Sequence, residues 1–246
     1  MMTDGTFLVS FRGTSNAEDG FQDAQGGNHQ AITLGTAATY TVGKGWYNQY
    51  EELKRKGLFT EIERVLGAAT AGQKVLVTGH SLGGALSGIG ATDIALKYPT
   101  AKVFLRTFGQ PRSFVEESAD RVQTELVVGG AAVDPNFGLV GAPGKIAAQR
   151  WLSFGDFIPS TPPSSTVAPS VGGFKHVGHG IYINKKLGTP DMTAKVQHQD
   201  FTAYSILGMS IVDGGASTHD MPFYMARLAE VSTARPATLD LTGTAL

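Results

Sequence analysis

A serine flanked by glycines, at the junction between a predicted strand and a predicted helix, constrains the fold of this chain more than any other feature. Residues 75–91 read VLVTGHSLGGALSGIGA, so an apolar strand leads into Gly79-His80-Ser81-Leu82-Gly83 and a small-residue helix follows. Glycines lack the Cβ atoms that would collide where a chain doubles back this sharply. A serine that only caps a helix does not need glycine on both sides. The pattern therefore indicates that Ser81 is a nucleophile on a strand–turn–helix elbow.

The rest of the chain alternates between apolar strands and helical patterns. Strands are predicted over 6–11, 74–79, 102–109, 150–154 and 180–184, and helices over 45–70, 82–97, 113–126 and 220–231. Gly57 is expected to break or bend the first helix, and the polar, Gly-rich residues 15–44 are predicted to be mostly loop. Such alternation implies βαβ crossovers, and hence a mostly parallel central sheet with helices on both faces.

Length and composition exclude several classes of protein. The chain has 246 residues, of which 41% are hydrophobic, and residues 1–246 are predicted to form a single domain. It has no cysteine, which excludes disulfides, thiolate zinc sites and cysteine nucleophiles. A net charge of −1 without a long Lys/Arg cluster argues against a nucleic-acid partner. The sequence shows neither a signal peptide nor a membrane span, and it leaves compartment and oligomeric state open.

A serine hydroxyl becomes a good nucleophile only when a base accepts its proton and an acid orients that base. His219 lies in a small-residue loop just before the last predicted helix and is the preferred base, with His176 as the alternative. Asp156 follows a predicted strand across one glycine and is the preferred acid, with Asp134 as its rival. Asp220 is better explained as the cap of the last helix.

An oxyanion hole requires two hydrogen-bond donors. The first is predicted to be the backbone amide of Leu82, the residue after the nucleophile. The second is expected from the loop that follows the strand 6–11, in the segment SFRGTSN.

Five motifs occur in an order and spacing that resemble the fungal-type class 3 lipase family, which includes feruloyl esterases and plant phospholipases A1. They are FRGTSN, VTGHSLGGALS, TFGQPR, GDFIPSTPP and HDMPFY, and the resemblance extends from residue 7 to about residue 225. It implies an α/β-hydrolase fold in which Ser81 is the nucleophile, Asp156 the acid and His219 the base. It also implies that Thr14 supplies the second oxyanion donor.

The chain departs from the family pattern at its start and at two single positions. The family usually has several dozen residues before the FRG strand, so this chain is predicted to lack the family's N-terminal segment. In single positions, Gly155 stands where the family has asparagine, and Gly43 stands where it typically has histidine. The second change is expected to remove a structural hydrogen bond.

The resemblance implies hydrolysis of carboxylic esters through an acyl-enzyme, with no metal or organic cofactor. The segment after the oxyanion loop, SNAEDGFQDAQGGNHQ, has Phe21 as its only large apolar residue. A lid this polar offers little area to an oil surface, which favours short- to medium-chain esters over strong interfacial activation. Peripheral contact with lipid surfaces, phospholipase A1 activity, a peptidase or acyltransferase, and an inactive binding protein on the same fold are the alternatives.

Overall fold

The computed structural model describes residues 2–13, 28–66, 72–128, 142, 144–153, 156, 158–162, 173–183, 190–191 and 219–233. Its strands are β1 (Phe7–Phe11), β2 (His29–Leu34), β3 (Ala38–Gly43), β4 (Lys74–His80), β5 (Lys102–Phe108), β6 (Phe114–Val115), β7 (Lys145–Ser153), β8 (Phe174–Lys175), β9 (His179–Ile183) and β10 (Pro190–Asp191). Its helices are α1 (Lys44–Arg55), α2 (Leu58–Leu66), α3 (Leu82–Lys97), α4 (Glu116–Glu125) and α5 (Met221–Thr233), with one 3-10 turn at Ile158–Ser160.

The central sheet has the strand order β1-β4-β5-β7-β9-β10. Its first five strands are parallel, and β10 pairs with β9 in the antiparallel direction. Each predicted strand is present within two residues of its expected start, except that β7 begins at Lys145 rather than at residue 150. The prediction of a mostly parallel sheet is confirmed.

A second sheet, with the order β2-β3-β6-β8, corrects the prediction that residues 15–44 are mostly loop. Residues 29–43 form an antiparallel hairpin, whereas residues 15–27 lie outside the described part of the chain. The hairpin forms because alternate residues are apolar and point inward, and Ile32, Leu34, Tyr40 and Val42 are all buried. Threonines between them gave the segment its polar character.

Gly57 divides the predicted helix 45–70 in two, as expected, because its φ of +93° cannot continue a right-handed helix. In the helix predicted over 113–126, residues 114 and 115 instead form the short strand β6. Gly43 lies against the ring of Trp46, whose buried indole N–H has no hydrogen-bond partner among the residues described here. The hydrogen bond expected to be lost with glycine at position 43 stays a prediction.

Helix α3 fills the centre of the molecule and is buried from Leu82 to Ala95. It packs on β1, β4 and β5, on the sheet face that carries Val75 and Val77. On the opposite face, Tyr224 of α5 contacts the rings of His80 and Phe108. Helices therefore lie on both faces of the sheet. Among the helices in the described ranges, none has the length and apolar composition of a membrane span.

Candidate active site

Ser81 forms the turn between β4 and α3 in a strained conformation, with φ +57° and ψ −127°. It is the only non-glycine residue with positive φ in the described part of the chain. Such a conformation costs about 1–3 kcal/mol and persists only where its surroundings hold it. Here the Ser81 amide donates to the Phe108 carbonyl at 3.0 Å, and its own carbonyl accepts from the amides of Gly84 and Ala85 at 2.8 and 3.2 Å.

The two glycines around Ser81 are required by close backbone contacts. A methyl group on Gly83 would lie 2.2 Å from the Phe11 carbonyl oxygen, and one on Gly79 would lie 2.3 Å from the Gly83 carbonyl oxygen. Both distances are far shorter than any real contact of a Cβ atom. Residues with side chains at these positions would force β1, β4 and α3 apart, which explains the glycine spacing seen in the sequence.

Asp156 and His219 form a buried pair at the carboxyl edge of the sheet. His219 Nδ1 lies 2.9 Å from Asp156 Oδ2, and the two residues are only 4% and 3% exposed. Since the carboxylate accepts the proton on Nδ1, the lone pair of the neutral ring is left on Nε2. That nitrogen is buried and has no hydrogen-bond partner within the described residues. The imidazole is therefore arranged to accept a proton at Nε2.

Three further hydrogen bonds hold Asp156 in place. The Ile158 amide donates to Oδ1 at 2.9 Å, the Tyr224 hydroxyl donates to Oδ2 at 2.6 Å, and the Asp156 amide donates to the Ser153 carbonyl at 3.1 Å. A buried carboxylate is stable only when its oxygens are satisfied in this way. The same contacts fix the oxygen that orients the imidazole of His219.

His80, the residue before Ser81, connects the elbow to this pair. Its ring stacks on the ring of His219 with centroids 4.6 Å apart, and its Nε2–H donates to the His219 carbonyl at 2.6 Å. Burial, together with the neighbouring imidazole of His219, lowers the pKa of His80. His80 is therefore a neutral donor that holds the loop of His219 beside the serine turn.

Gly109 provides a second connection between the elbow and the pair. Its φ is +55°, and a methyl group there would lie 2.8 Å from His219 Cε1 and 2.9 Å from Asp156 Oδ2. The preceding residue, Phe108, accepts the hydrogen bond from the Ser81 amide. The turn at residues 108–109 thus contacts all three proposed members of the site.

Sequence reasoning gave no role to Tyr224 or Gly109. Both lie inside motifs that carried the family resemblance, Gly109 in TFGQPR and Tyr224 in HDMPFY. Their presence in those motifs was the only available signal, because a glycine or a tyrosine does not by itself show which distant residue it contacts.

The structure describes two of the three residues that the sequence analysis weighed against His219 and Asp156. His176 donates from Nε2 to the Pro159 carbonyl at 2.7 Å, and burial aided by nearby Arg150 and Arg112 lowers its pKa well below the ordinary value. Asp220 is exposed, and its carbonyl accepts the first amides of α5, as expected of a helix cap. Asp134 lies outside the described residues. The structure brings neither His176 nor Asp220 into the pair.

Only one of the two predicted oxyanion donors can be located. Leu82 is the first residue of α3, and the first amides of a helix have no partner within the helix. Thr14 lies outside the described residues. Its neighbour Gly13 lies against the elbow, since a methyl group there would be 2.9 Å from the His80 carbonyl oxygen and 3.7 Å from Ser81 Cβ.

Arg112 holds the segment that follows Asp156 in place through hydrogen bonds. Its guanidinium is buried and donates to the carbonyls of Ser160 and Pro162, the latter at 2.8 Å, and its amide donates to the Thr161 carbonyl at 2.7 Å. Within the described residues, no three His, Asp or Glu side chains are grouped as metal ligands.

Comparison with known proteins identifies the family. Residues 8–165, well over half of the chain, match the model of the family described as Lipase (class 3). The chain belongs to the class 3 lipase family. The predicted membership of this family is therefore confirmed.

Two curated relatives illustrate how far the similarity of this class 3 lipase family member extends. It is 26% identical over 184 residues to a lipase of Rhizomucor miehei, covering 74% of this chain and 42% of the relative. It is 29% identical over 140 residues to human (Homo sapiens) diacylglycerol lipase-alpha, covering 54% of this chain and 13% of the relative. The chain thus spans less than half the length of either protein.

The fold of this family member also matches a solved structure. The triacylglyceride lipase of Rhizomucor miehei superposes with a TM-score of 0.54 at 25% identity, covering 74% of this chain and 59% of that one. The predicted α/β-hydrolase fold is confirmed.

Proposed function

We propose that this chain is a serine hydrolase that cleaves carboxylic esters through an acyl-enzyme intermediate. One observation carries the proposal: His219 is bonded to Asp156 through Nδ1 and stacked on His80, the residue before the strained Ser81. Orienting acid, base and nucleophile are therefore neighbours at one edge of the sheet. Membership of a lipase family supports ester bonds as the substrate class.

In the proposed reaction, Ser81 Oγ attacks the ester carbonyl carbon while His219 Nε2 accepts the hydroxyl proton. Asp156 keeps the proton on Nδ1 and stabilises the imidazolium that forms. The tetrahedral intermediate collapses, the C–O bond to the alcohol breaks, and His219 donates its proton to the departing oxygen. Water then attacks the acyl-enzyme with His219 again as the base, and the carboxylic acid and free Ser81 are released.

The amides of Leu82 and Thr14 are the proposed donors to the oxyanion. In enzymes where such a donor has been removed, the loss is roughly 3–4 kcal/mol per donor. The position of Leu82 at the start of α3 supports its part in this pair, because the helix dipole adds to the field of its amide. The approach of Gly13 to Ser81 supports the placement of the loop that contains Thr14.

Short- to medium-chain esters are the proposed substrates, on the ground that the segment after the oxyanion loop is polar. Its residues 15–27 lie outside the described structure, so this proposal rests on composition. The relatives' names, lipase and diacylglycerol lipase-alpha, support acylglycerols as the natural class. No cofactor enters the proposed reaction. We also propose that residues 1–246 act as one domain.

Hydrolysis of p-nitrophenyl esters from acetate to palmitate tests the proposal, with Ser81→Ala and His219→Ala beside the wild type. We expect the wild type to be fastest on short or medium chains, and both variants to lose several orders of magnitude in kcat while remaining folded. A maximum at palmitate that rises at an oil interface would overturn the chain-length proposal. Turnover of phosphatidylcholine vesicles alone would favour phospholipase A1. If the wild type is as inert as Ser81→Ala on every ester, the chain is a binding protein.

A further inference from the structure

The imidazole of His219 is contacted from two different directions. In the plane of the ring, Nδ1 is bonded to Asp156 Oδ2 at 2.9 Å. Over its face lies the ring of His80, with the two centroids 4.6 Å apart and the planes inclined by 30°. The hydrogen bond of an imidazole lies in the ring plane, so Asp156 does not reach this face. His80 therefore covers a part of the base to which the hydrolysis mechanism assigns no role.

Three contacts fix the ring of His80 in this place. Its backbone belongs to the last position of β4 and pairs with Phe108 in the central sheet. Its Nε2–H donates to the His219 carbonyl at 2.6 Å. On another side, the ring of Tyr224 meets it edge-on, with centroids 5.7 Å apart and an angle of 68° between the planes. The stacking of the two imidazoles is thus held by main chain, hydrogen bond and aromatic packing together.

The ring of His80 is uncharged. Burial, and then the nearby imidazole of His219, lower the pKa of His80, and the acids Asp156 and Asp220 only partly oppose these two effects. Tyr224 contributes an uncharged phenol to the same surroundings. What lies over His219 is therefore a neutral aromatic face.

A neutral aromatic ring attracts a cation placed over its face, because the ring quadrupole is negative there. His219 becomes such a cation whenever it accepts a proton at Nε2. Its charge then lies within the roughly 6 Å of a ring centroid over which this attraction is significant. His219 is only 4% exposed, so water screens the attraction little. A charged ring at the same place would instead repel the imidazolium.

We propose that His80 is a positioning residue whose uncharged ring stabilises the protonated form of His219. The contact acts on His219 whenever that residue binds a proton. Its effect on catalysis rests on the ester hydrolysis proposed above, in which the imidazolium forms as Ser81 attacks. Asp156 would then stabilise the charge from the ring edge and His80 from the ring face.

His80→Phe and His80→Leu form a matched pair that tests the role of the ring. Neither variant can donate to the His219 carbonyl, and only phenylalanine presents an aromatic face. Both are made in the Ser81→Ala protein, and an NMR titration of the His219 ring protons gives the midpoint of proton binding without turnover. We expect the midpoint of His80→Phe within about 0.3 pH unit of the parent, and that of His80→Leu lower by about 0.5–1 pH unit.

Two further variants separate the ring from other effects. His80→Asn keeps an N–H donor and lacks the ring, so its midpoint should fall as in His80→Leu. His29→Asn changes an exposed histidine of β2 whose ring contacts Phe174, and it should leave the midpoint of His219 unchanged. Circular dichroism shows which variants are folded, and only these are compared.

The same variants in proteins that retain Ser81 give the effect on catalysis. With p-nitrophenyl butyrate we expect kcat of His80→Leu about three- to tenfold below that of His80→Phe, with similar KM. The acid limb of kcat/KM should move to lower pH in His80→Leu by the same interval as the NMR midpoint, because it reports protonation of the base. A purely structural role of the ring would lower kcat and leave this limb in place.

Equal NMR midpoints in folded His80→Phe and His80→Leu would overturn the proposal. A higher midpoint in His80→Leu would also overturn it, since the ring would then repel the charge. A midpoint of His80→Asn equal to that of the parent would assign the effect to the hydrogen bond and overturn the role of the ring. If the wild type hydrolyses no ester while the midpoints fall as expected, the ester hydrolysis fails and the contact between the two rings is supported.

Discussion

Tyr224 and His219 contact the same oxygen atom of Asp156. The tyrosine hydroxyl donates to Oδ2 at 2.6 Å, and His219 Nδ1 lies 2.9 Å from it. The same hydroxyl accepts the Ser153 amide at 3.0 Å, and Tyr224 is fully buried. One phenol group therefore joins the end of β7, the acidic side chain and the first turn of α5.

The Tyr224→Phe substitution should reduce both stability and activity. It leaves the buried Ser153 amide without its acceptor, which costs about 1–3 kcal/mol of the free energy of unfolding. It also releases one constraint on Asp156, so we expect kcat to fall about tenfold with little change in KM. Urea unfolding and ester hydrolysis measure the two effects. Tyr47→Phe, at a half-buried tyrosine packed against the core, is the matched control. Equal stability of the two variants would contradict the role of the hydroxyl.

The Asp156→Asn substitution should lower kcat by roughly 10³–10⁴-fold, because an amide can hold the imidazole in the wrong tautomer. The neighbouring acid Asp220 offers a control, since its side chain is exposed and its backbone carbonyl does the capping. We expect Asp220→Asn to retain activity within a fewfold. Comparable losses in the two variants would mean that Asp156 does not orient the base.

Gly109→Ala and Gly72→Ala form a matched pair. Both glycines have left-handed φ, +55° and +91°, so each alanine should cost about 1–2 kcal/mol in backbone strain. A methyl group at Gly72 meets nothing within 4 Å, whereas at Gly109 it presses on His219 and Asp156. We therefore expect only Gly109→Ala to lose ester hydrolysis, by at least tenfold, in assays below the melting temperature of both variants. Full activity of Gly109→Ala would show that His219 and Asp156 can shift away from the methyl group without loss of function.

Asp93 should make stability fall as the pH rises. It is 2% exposed, and burial raises its pKa above the ordinary value of 3.8, although the Gly35 amide and the Tyr50 hydroxyl donate to it. Because the folded state binds this proton more tightly than the unfolded state, the free energy of unfolding decreases from about pH 4 upward, through the raised pKa. Urea unfolding between about pH 4 and pH 7 should show this decrease in the wild type relative to Asp93→Asn. Parallel pH profiles for the two proteins would contradict it.

The elbow and the central sheet were predictable because local sequence determines them. A strand with three consecutive apolar residues, two glycines and a small-residue helix leave Ser81 one geometry, in which any larger residue at Gly79 or Gly83 collides with backbone. The hairpin of β2 and β3 was missed because half of its residues face outward and are polar. Its inward positions, such as Ile32 and Val42, are recognised only when every second residue is read separately.

The residues proposed to act with Ser81, Asp156 and His219, were harder to predict, because they lie far from Ser81 in the sequence. The position of His219 in a small-residue loop before the last helix favoured it over His176 only weakly, and the family resemblance strengthened that preference. Tyr224 and Gly109 could not be predicted from their residue types, because their importance lies in contacts with Asp156 and His219 that exist only in the folded chain. Local sequence patterns determine the turn at Ser81, whereas tertiary contacts bring the residues around that turn into place.

The strand β1 also has a practical consequence for handling the protein. In the described part of the chain it has a strand neighbour on one side only, and its sequence, FLVSF, has no charge and no proline. Strands of this kind recruit other chains and promote aggregation, which natural proteins often prevent with a lysine. Leu8, the second residue of this strand, is 44% exposed. A lysine at that position should raise the concentration at which the purified protein stays monodisperse, and light scattering would measure the gain.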